Sequence, residues 1–165
     1  MIRTVRVLGV DWGDRKIGLA VSDPSGTVAV GAGTLVVSSR REALAALAAA
    51  ATARDVERIV VGFPVSMSGS SGPRAEKTER FVEALRARVA IPILLWDERL
   101  TTAAALRTLR ETGGSTRRDR GLTDELAATI LLQSWLDARR TSRDGSTAPS
   151  EDGEPPTPRG GASAG

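Results

Sequence analysis

Short runs of apolar residues along the chain predict five β-strands. Residues 5–10, 17–22 and 28–37 form three such runs, separated by short polar turns. Strands with such short connections pair in antiparallel fashion. Residues 58–63 form a fourth run, whose consecutive apolar positions indicate burial on both faces, and residues 91–96 form a fifth.

After the third strand, segments with helical spacing of apolar residues alternate with the remaining strands and follow the last one. A capping box predicts the first helix, with Ser39 as the N-cap and Glu42 reaching back to it. Pro73 suits the first turn of the second helix, and Thr123 is the predicted cap of the last one. The predicted helices cover about residues 39–53, 73–89, 101 or 102 to 112, and 123–140.

The order of these elements predicts the topology. A strand–helix–strand crossover within one sheet is right-handed and makes the two strands parallel. Strands four and five therefore run parallel to strand one. We predict an α/β fold with a mixed five-stranded sheet, three antiparallel strands and then two parallel ones, with helices on both faces.

The end of the chain differs in composition from the rest. Residues 141–165 contain four prolines, five glycines and no apolar residue larger than alanine. Such a segment buries too little surface to offset its conformational entropy. We expect one domain over residues 1–140 and a disordered tail over residues 141–165.

Composition excludes several kinds of chemistry. The chain of 165 residues contains no cysteine, no histidine and no tyrosine. Thiol nucleophiles, Ser-His-Asp triads and metal sites built on Cys or His are therefore excluded. Any hydrolysis must use carboxylates, lysine, hydroxyls or a metal held by oxygen ligands.

The charge balance is compatible with an anionic partner. Lysine and arginine total 23 against 20 acids, and all but two of the 23 are arginine, although genome composition can also enrich arginine. A basic body suits a phosphate backbone. No apolar run is long enough to span a membrane, and acids interrupt the first run where a signal peptide needs an apolar core. We expect a cytoplasmic protein with no membrane partner.

Acidic residues lie where predicted strands end or where the last helix begins. Asp11 follows strand one, Asp97 and Glu98 follow strand five, and Asp124 opens the last helix. Ligands bind at the carboxyl ends of parallel strands in open sheets. Converging carboxylates are the natural ligands of Mg²⁺ or Mn²⁺, and such ions promote phosphodiester cleavage.

These acids also have structural explanations. Asp124 could simply favour the positive end of a helix, and Glu98 could form an ion pair with Arg99. Asp97 would point to the opposite face of the strand from Glu98, which favours a structural role. Asp11 directly follows an apolar run, where an unpaired charge is costly, and this favours a functional role.

Two polar segments are candidates for contacts with a phosphate backbone. Ser66 and Ser68 belong to a loop after strand four that could present hydroxyls and amides to phosphates. Arg117 and Arg118 belong to a predicted basic loop before Asp124. The serine segment is explained equally well as an ordinary strand-to-helix loop. The arginine segment is explained equally well as a solvated run of charges.

Four segments of the chain resemble the signatures of the YqgF/RuvX family. These are RuvC-like proteins of the RNase H-like superfamily, described as pre-16S rRNA nucleases or Holliday junction resolvases. The resemblance implies an RNase H-like fold and metal-dependent phosphodiester hydrolysis. The segments are LGVDWGDRKIGLAVSD (residues 8–23), VVGFPVSMSGSSGPRAEKTERF (60–81), LWDERLTT (95–102) and TDELAATILLQSWLD (123–137).

By position, the resemblance assigns the catalytic and metal-binding roles to Asp11, Glu98 and Asp124. Arg15 and Lys16 match the basic pair of the first signature, which implies that they lie near the metal and hold a phosphate.

Two features depart from the family's pattern. Ser68 stands where the family often has an acid, so no carboxylate acts at this position. RNase H enzymes have an acid at the end of strand four, whereas this strand ends in Gly62 and Phe63. Glu98 must therefore reach in from the next strand. Its neighbour Arg99 is a further candidate for binding substrate.

We interpret the chain as a metal-dependent nuclease of structured RNA that processes pre-16S rRNA in ribosome biogenesis, with Mg²⁺ or Mn²⁺ as cofactor. One alternative is a Holliday junction resolvase that acts on four-way DNA junctions as a symmetric dimer; the sequence leaves monomer and homodimer open. Another is a nucleic-acid-binding module with weak catalysis. The first signature also resembles the phosphate loop of sugar kinases and actin-like ATPases, but the chain has no room for their second lobe.

Overall fold

The strands and helices follow one another in the order that the apolar pattern predicts. The computed structural model describes residues 5–64, 72–101 and 117–143 of the chain. Its elements are β1 (Val7–Trp12), β2 (Lys16–Ser22), β3 (Ala29–Val36), α1 (Arg40–Ala53), β4 (Arg58–Phe63), α2 (Pro73–Arg86), β5 (Ile93–Asp97), a short 3₁₀ helix (Glu98–Leu100) and α3 (Arg117–Arg143).

Several predicted features lie outside the described residues. They are the loop with Ser66 and Ser68, most of the helix predicted from residue 101 or 102 to about 112, and the part of the predicted tail beyond residue 143. These features stay predictions from the sequence. Residues 141–143, predicted as the start of the tail, instead belong to the end of α3.

The sheet has the mixed topology that the sequence predicts. Its strand order is β3-β2-β1-β4-β5. β1 pairs with β2, and β2 with β3, in antiparallel register, whereas β4 runs parallel to both β1 and β5. The carboxyl ends of β1, β4 and β5 therefore lie at the same edge of the sheet, which is where ligands bind in open sheets.

Helices cover both faces of the sheet, and the side chains of β1 alternate between them. Leu8 and Val10 belong to a core cluster with α1 and α2, on what we call the helix-pair face. Val7 belongs to a second cluster with Leu132 and Trp135 of α3, on what we call the α3 face. Because strand residues alternate in direction, this assignment extends along the sheet.

The predicted cap of α1 is confirmed, with one difference. Ser39 is the N-cap and its hydroxyl accepts a hydrogen bond from the Glu42 amide at 3.1 Å. The Glu42 carboxylate, however, reaches past Ser39 and accepts from the Ser38 amide at 2.8 Å. Hydrogen bonds from the Ser38 hydroxyl and amide lower the pKa of Glu42. Ser38 offers the Glu42 carboxylate two donors, its amide and its hydroxyl. The Ser39 hydroxyl instead accepts from the Glu42 amide and caps the helix.

The start of α3 differs from the sequence prediction. Arg117 and Arg118, predicted in a loop, lie in the first turn of α3, and Thr123, predicted as its N-cap, lies inside the helix. Arginine is a good helix former, and a single glycine inside a helix, here Gly121, costs only about 1 kcal/mol. A local cap signal therefore did not decide where this helix begins.

In the described parts of the chain, no helix combines the length and the apolar character that a membrane crossing needs.

Candidate active site

Asp11 is a buried carboxylate on the α3 face of β1. It lies four positions after Val7, so its side chain shares the face of Val7. Only 3% of its surface is exposed. Asp11 pairs with Gly18 of β2 across the sheet, so it lies in the middle of the sheet and not at an outer strand.

Glu98 follows β5 and lies over the end of β4. A Cβ atom built on Gly62 would lie only 2.6 Å from Glu98 Oε1 and 3.2 Å from its Cγ. The Glu98 side chain therefore fills the space where residue 62 has no side chain. It is buried, with 4% exposed. The sequence predicted that Glu98 must reach strand four from the next strand, and the structure confirms this.

Asp124 on α3 lies over β2, beside Asp11. A Cβ atom on Gly18 would lie 1.9 Å from the backbone oxygen of Asp124 and 2.3 Å from its carbonyl carbon. The backbone of α3 thus lies directly on Gly18, the register partner of Asp11. Asp124 is completely buried.

The fold brings three acids from distant parts of the sequence to one face and one edge of the sheet. Asp11 stands on β1, Glu98 lies over β4 on one side of it, and Asp124 lies over β2 on the other. Within the described ranges, no group of three or more acidic side chains is already arranged as a metal cluster. The three acids thus lie in one region of the sheet, but their side chains do not form a coordination sphere. Three buried carboxylates repel one another, and a cation relieves this repulsion.

Asp97 has a structural role, as the sequence predicted. It ends β5 and caps the 3₁₀ helix, where its carboxylate accepts a hydrogen bond from the Arg99 amide at 2.9 Å. It also binds the Arg99 guanidinium, with Nε at 3.0 Å and an Nη atom at 2.7 Å. This hydrogen bond raises the pKa of Arg99. The alternative ion pair between Glu98 and Arg99 is wrong, because Arg99 turns back to Asp97.

The basic candidates lie near this edge of the sheet. Arg15 is exposed in the turn that follows β1, and Lys16 is half-buried at the start of β2. Arg99 keeps 42% of its side chain exposed in its pair with Asp97. Arg117 lies seven positions before Asp124, which is two helical turns or about 10 Å along α3. Arg118 follows it in the same turn. Ser66 and Ser68 are outside the described residues.

Sequence reasoning missed the roles of Gly18 and Gly62. Each lies inside an apolar strand. The Glu98 side chain approaches Gly62, and the Asp124 backbone approaches Gly18, so closely that a Cβ atom would not fit. A glycine in a strand interior is a recognised sign of close approach. That signal was available in the sequence, although it does not identify which group approaches.

Replacing Gly62 by alanine should impair cleavage more than folding. The new methyl group would lie 2.6 Å from Glu98 Oε1, the far end of a flexible side chain, so the carboxylate would move and the strand would stay. A displacement of about 1 Å in a catalytic group can cost about 100-fold in rate. We expect a cleavage rate about 100-fold lower, measured under single-turnover conditions.

The matched control is Gly72→Ala, because nothing lies within 4 Å of a Cβ atom at Gly72. This variant should cleave at the wild-type rate. Wild-type cleavage by Gly62→Ala would show that Glu98 does not act from the space above β4.

Comparison with known proteins identifies relatives over most of the chain. Residues 5–138 match the RuvX family, described as Holliday junction resolvase. The chain is 45% identical over 136 residues to a candidate pre-16S rRNA nuclease of Myxococcus xanthus strain DK1622, covering 82% of this chain and 90% of that protein. It is 41% identical over 135 residues to one from Listeria monocytogenes serovar 1/2a, covering 81% and 98%.

A solved structure shares the fold. RuvC of Thermus thermophilus, in complex with a Holliday junction substrate, superposes with a TM-score of 0.54 at 17% identity, covering 84% of this chain and 97% of that one. At this identity the likeness concerns the fold alone, and it confirms the predicted RNase H-like architecture.

Proposed function

The chain belongs to the RuvX family and is a nuclease, and we propose that it cleaves phosphodiester bonds of structured RNA with pre-16S rRNA as its substrate. The observation that carries this proposal is the gathering of Asp11, Glu98 and Asp124, all buried, at the carboxyl edge of the sheet. The names of the relatives favour RNA over DNA. Processing of an rRNA precursor in ribosome biogenesis would place the protein in the cytoplasm.

The residues at this site fit a divalent metal ion. The donors are carboxylate oxygens, which Mg²⁺ and Mn²⁺ prefer, and the cradle at Gly62 holds Glu98 over the end of β4. Asp11, Glu98 and Asp124 would hold the ion. When bound, it would stabilise the negative charge that develops on the scissile phosphate and would promote deprotonation of the attacking water.

The protein's own groups would position the substrate around these acids. Arg15 in the turn after β1 and Lys16 at the start of β2 would bind phosphates next to the scissile bond. The hydrogen bonds between Arg99 and Asp97 keep the guanidinium in one orientation at the surface. Arg117 and Arg118 would contact the backbone from the start of α3.

A junction resolvase is the second candidate, because the matched family is described by that activity. A four-way junction is cut symmetrically, so this reading requires a homodimer whose two sites are related by a two-fold axis. The RNA nuclease reading allows a monomer.

The test is a parallel cleavage assay. Pre-16S rRNA fragments and four-way DNA junctions are incubated with the protein, with and without Mn²⁺, beside the Asp11→Asn variant. We expect cleavage of the RNA only, dependent on the metal and absent in the variant. Paired nicks in the junction would establish the resolvase instead. Binding without cleavage of either substrate would leave a nucleic-acid-binding module.

RNA binding should weaken steeply as salt increases. Each phosphate that an arginine or lysine neutralises adds about 0.7 to 0.9 to the slope of log K against log salt concentration. The double variant Arg15→Gln/Lys16→Gln should therefore reduce the slope by about 1 to 2. Fluorescence anisotropy at several salt concentrations measures it.

Arg88→Gln is the control, since Arg88 is exposed beyond the end of α2. Its slope should equal that of the wild type. A flat plot for the wild type would contradict binding through phosphates.

A further inference from the structure

A pocket of about 240 Å³ lies on the helix-pair face, on the other side of the sheet from the three acids. It opens between α1, α2 and the turn that follows β1. We call it the α1–α2 pocket, and its lining residues are Trp12, Asp14, Arg40, Ala43, Lys77, Arg80 and Phe81.

Cations dominate the polar lining of the α1–α2 pocket. Arg40, Lys77 and Arg80 share the lining with a single acid, Asp14, and Arg80 also lies 3.7 Å from Glu76 Oε2 in an exposed pair outside the lining. Lys77 Nζ lies 3.4 Å from Asp14 Oδ2, and both side chains are more than half exposed, so this pair is weak and can open to a ligand. The lining therefore favours an anion.

Arg40 is held in place at this pocket. One Nη atom of its guanidinium donates to the backbone oxygen of Arg80 at 2.7 Å, which links α1 to α2. The other guanidinium N–H groups keep their fork geometry for a further acceptor. An arginine that is already oriented loses less entropy when it binds a phosphate.

An aromatic pair forms the apolar part of the wall. The rings of Trp12 and Phe81 are stacked, with centroids 4.6 Å apart and planes at 19°. Phe81 is buried, whereas Trp12 is half-buried and lines the pocket. Cations beside an aromatic surface are what a nucleotide requires, because the phosphate needs charge and the base or sugar needs an apolar contact.

The position of the pocket connects it to the acids. Trp12 directly follows Asp11 in β1, and their side chains lie on opposite faces of the sheet. Only the end of β1 separates the two places. The path from the acids to the α1–α2 pocket therefore crosses only the carboxyl edge of β1.

We propose that the α1–α2 pocket binds a nucleotide of the RNA strand that flanks the scissile bond, with its phosphate on Arg40, Lys77 and Arg80 and its base or sugar against Trp12. The proposal rests on the nuclease function proposed above. It adds a second contact surface on the face opposite the acids. It also implies that the negative charge of Asp14 limits the affinity for RNA.

The experiment measures binding of a fluorescein-labelled oligoribonucleotide by anisotropy, in EDTA so that no cleavage occurs. Lys77→Gln and the double variant Arg40→Gln/Arg80→Gln remove positive charge from the pocket. The control Arg41→Gln/Arg88→Gln removes the same charge from exposed positions outside it. We expect about tenfold weaker binding for the double pocket variant and less than twofold for the control.

Asp14→Asn should change the affinity for RNA in the opposite direction. It removes the one acid of the pocket, so RNA should bind two- to threefold more tightly. A merely structural role of these residues would not strengthen binding. Because Arg40 also links α1 to α2, a thermal melt accompanies each variant, and Lys77→Gln tests the pocket without breaking that link.

A second arm distinguishes a strand from a free nucleotide. Uridine monophosphate is added as a competitor, and it should displace RNA only at concentrations far above the dissociation constant of the RNA. Tight binding of the mononucleotide, with RNA affinity unchanged in the variants, would overturn the proposal in favour of a free-nucleotide site.

The outcomes separate this proposal from the function on which it rests. If the wild type cleaves RNA but the pocket variants bind it as the wild type does, the pocket proposal alone is wrong. If the wild type neither binds nor cleaves RNA, both proposals are wrong.

Discussion

Replacing Asp11 by asparagine should abolish RNA cleavage and leave the fold intact. Asparagine keeps the shape of the side chain and one carbonyl oxygen, but it removes the charge that holds a divalent cation. The stabilisation that such a cation supplies amounts to several kcal/mol, so we expect a loss of about 1,000-fold or more in cleavage rate. A single-turnover cleavage assay in Mn²⁺ measures it.

The same variant should respond differently to metal in a thermal melt. Like charges buried on one face repel one another, so we expect Asp11→Asn to hold or raise the stability of the protein in EDTA. Metal should stabilise the wild type by about 2.7 kcal/mol at 100 times the dissociation constant, and Asp11→Asn much less.

Asp97→Asn is the matched control for this prediction. Asp97 is also an acid at the end of a strand, but its carboxylate binds Arg99 and caps the 3₁₀ helix. This variant should melt at a lower temperature and keep the metal response. Our assignment of the site would be wrong if Asp97→Asn lost the metal response, or if Asp11→Asn cleaved at the wild-type rate.

Replacing Gly18 by alanine should damage both stability and activity. The added Cβ atom would lie 1.9 Å from a backbone oxygen of Asp124, and backbone cannot turn aside as a side chain can. Helix α3 would have to move away from β2, carrying Asp124 from its place beside Asp11. Overpacking of this kind costs about 3 kcal/mol. We therefore expect a melting temperature lower by about 10 °C and a cleavage rate lower by about 100-fold.

Gly31→Ala is the control for Gly18→Ala. Gly31 also faces α3, but the atoms near its built Cβ belong to the side chain of Glu125, with Oε1 at 2.3 Å. That side chain is half-buried and can turn toward solvent. This variant should lose little stability and keep its activity. If Gly18→Ala melts and cleaves like the wild type, α3 does not rest on β2 as the structure shows.

The glycines also indicate how the site tolerates change. At Gly62 a side chain approaches the strand, whereas at Gly18 the backbone of a helix does. The first contact positions one catalytic group, and the second positions the whole start of α3. For this reason Gly62→Ala should separate activity from stability, and Gly18→Ala should not.

Strand β4 and helix α1 were predictable from local sequence. β4 occupies Arg58–Phe63, as its apolar run predicts, because a strand buried on both faces admits few polar residues. The N-cap Ser39 was predictable because it satisfies an amide of its own helix. Both features depend on residues that are close in the chain.

The start of α3 and the partner of Arg99 were not predictable in this way. Arg117 and Thr123 lie inside a helix that a local cap signal would begin later. Arg99 binds Asp97 and not Glu98, because Glu98 is drawn into the space above Gly62. At Arg99 a contact between distant parts of the fold decides the partner. At the start of α3, the helix-forming arginines outweigh the local cap signal of Thr123.

By itself, the sequence determined the order of the strands and helices, the exclusion of His and Cys chemistry, and the resemblance that points to Asp11, Glu98 and Asp124. These follow from periodicity, composition and motif, which are properties of neighbours along the chain. Only the tertiary structure decided that Glu98 lies over Gly62, that α3 rests on Gly18, and that Trp12 faces a basic pocket behind Asp11. The physical reason is that close packing between distant segments depends on where the missing side chain of a glycine leaves space, and a sequence does not state which segment will fill it.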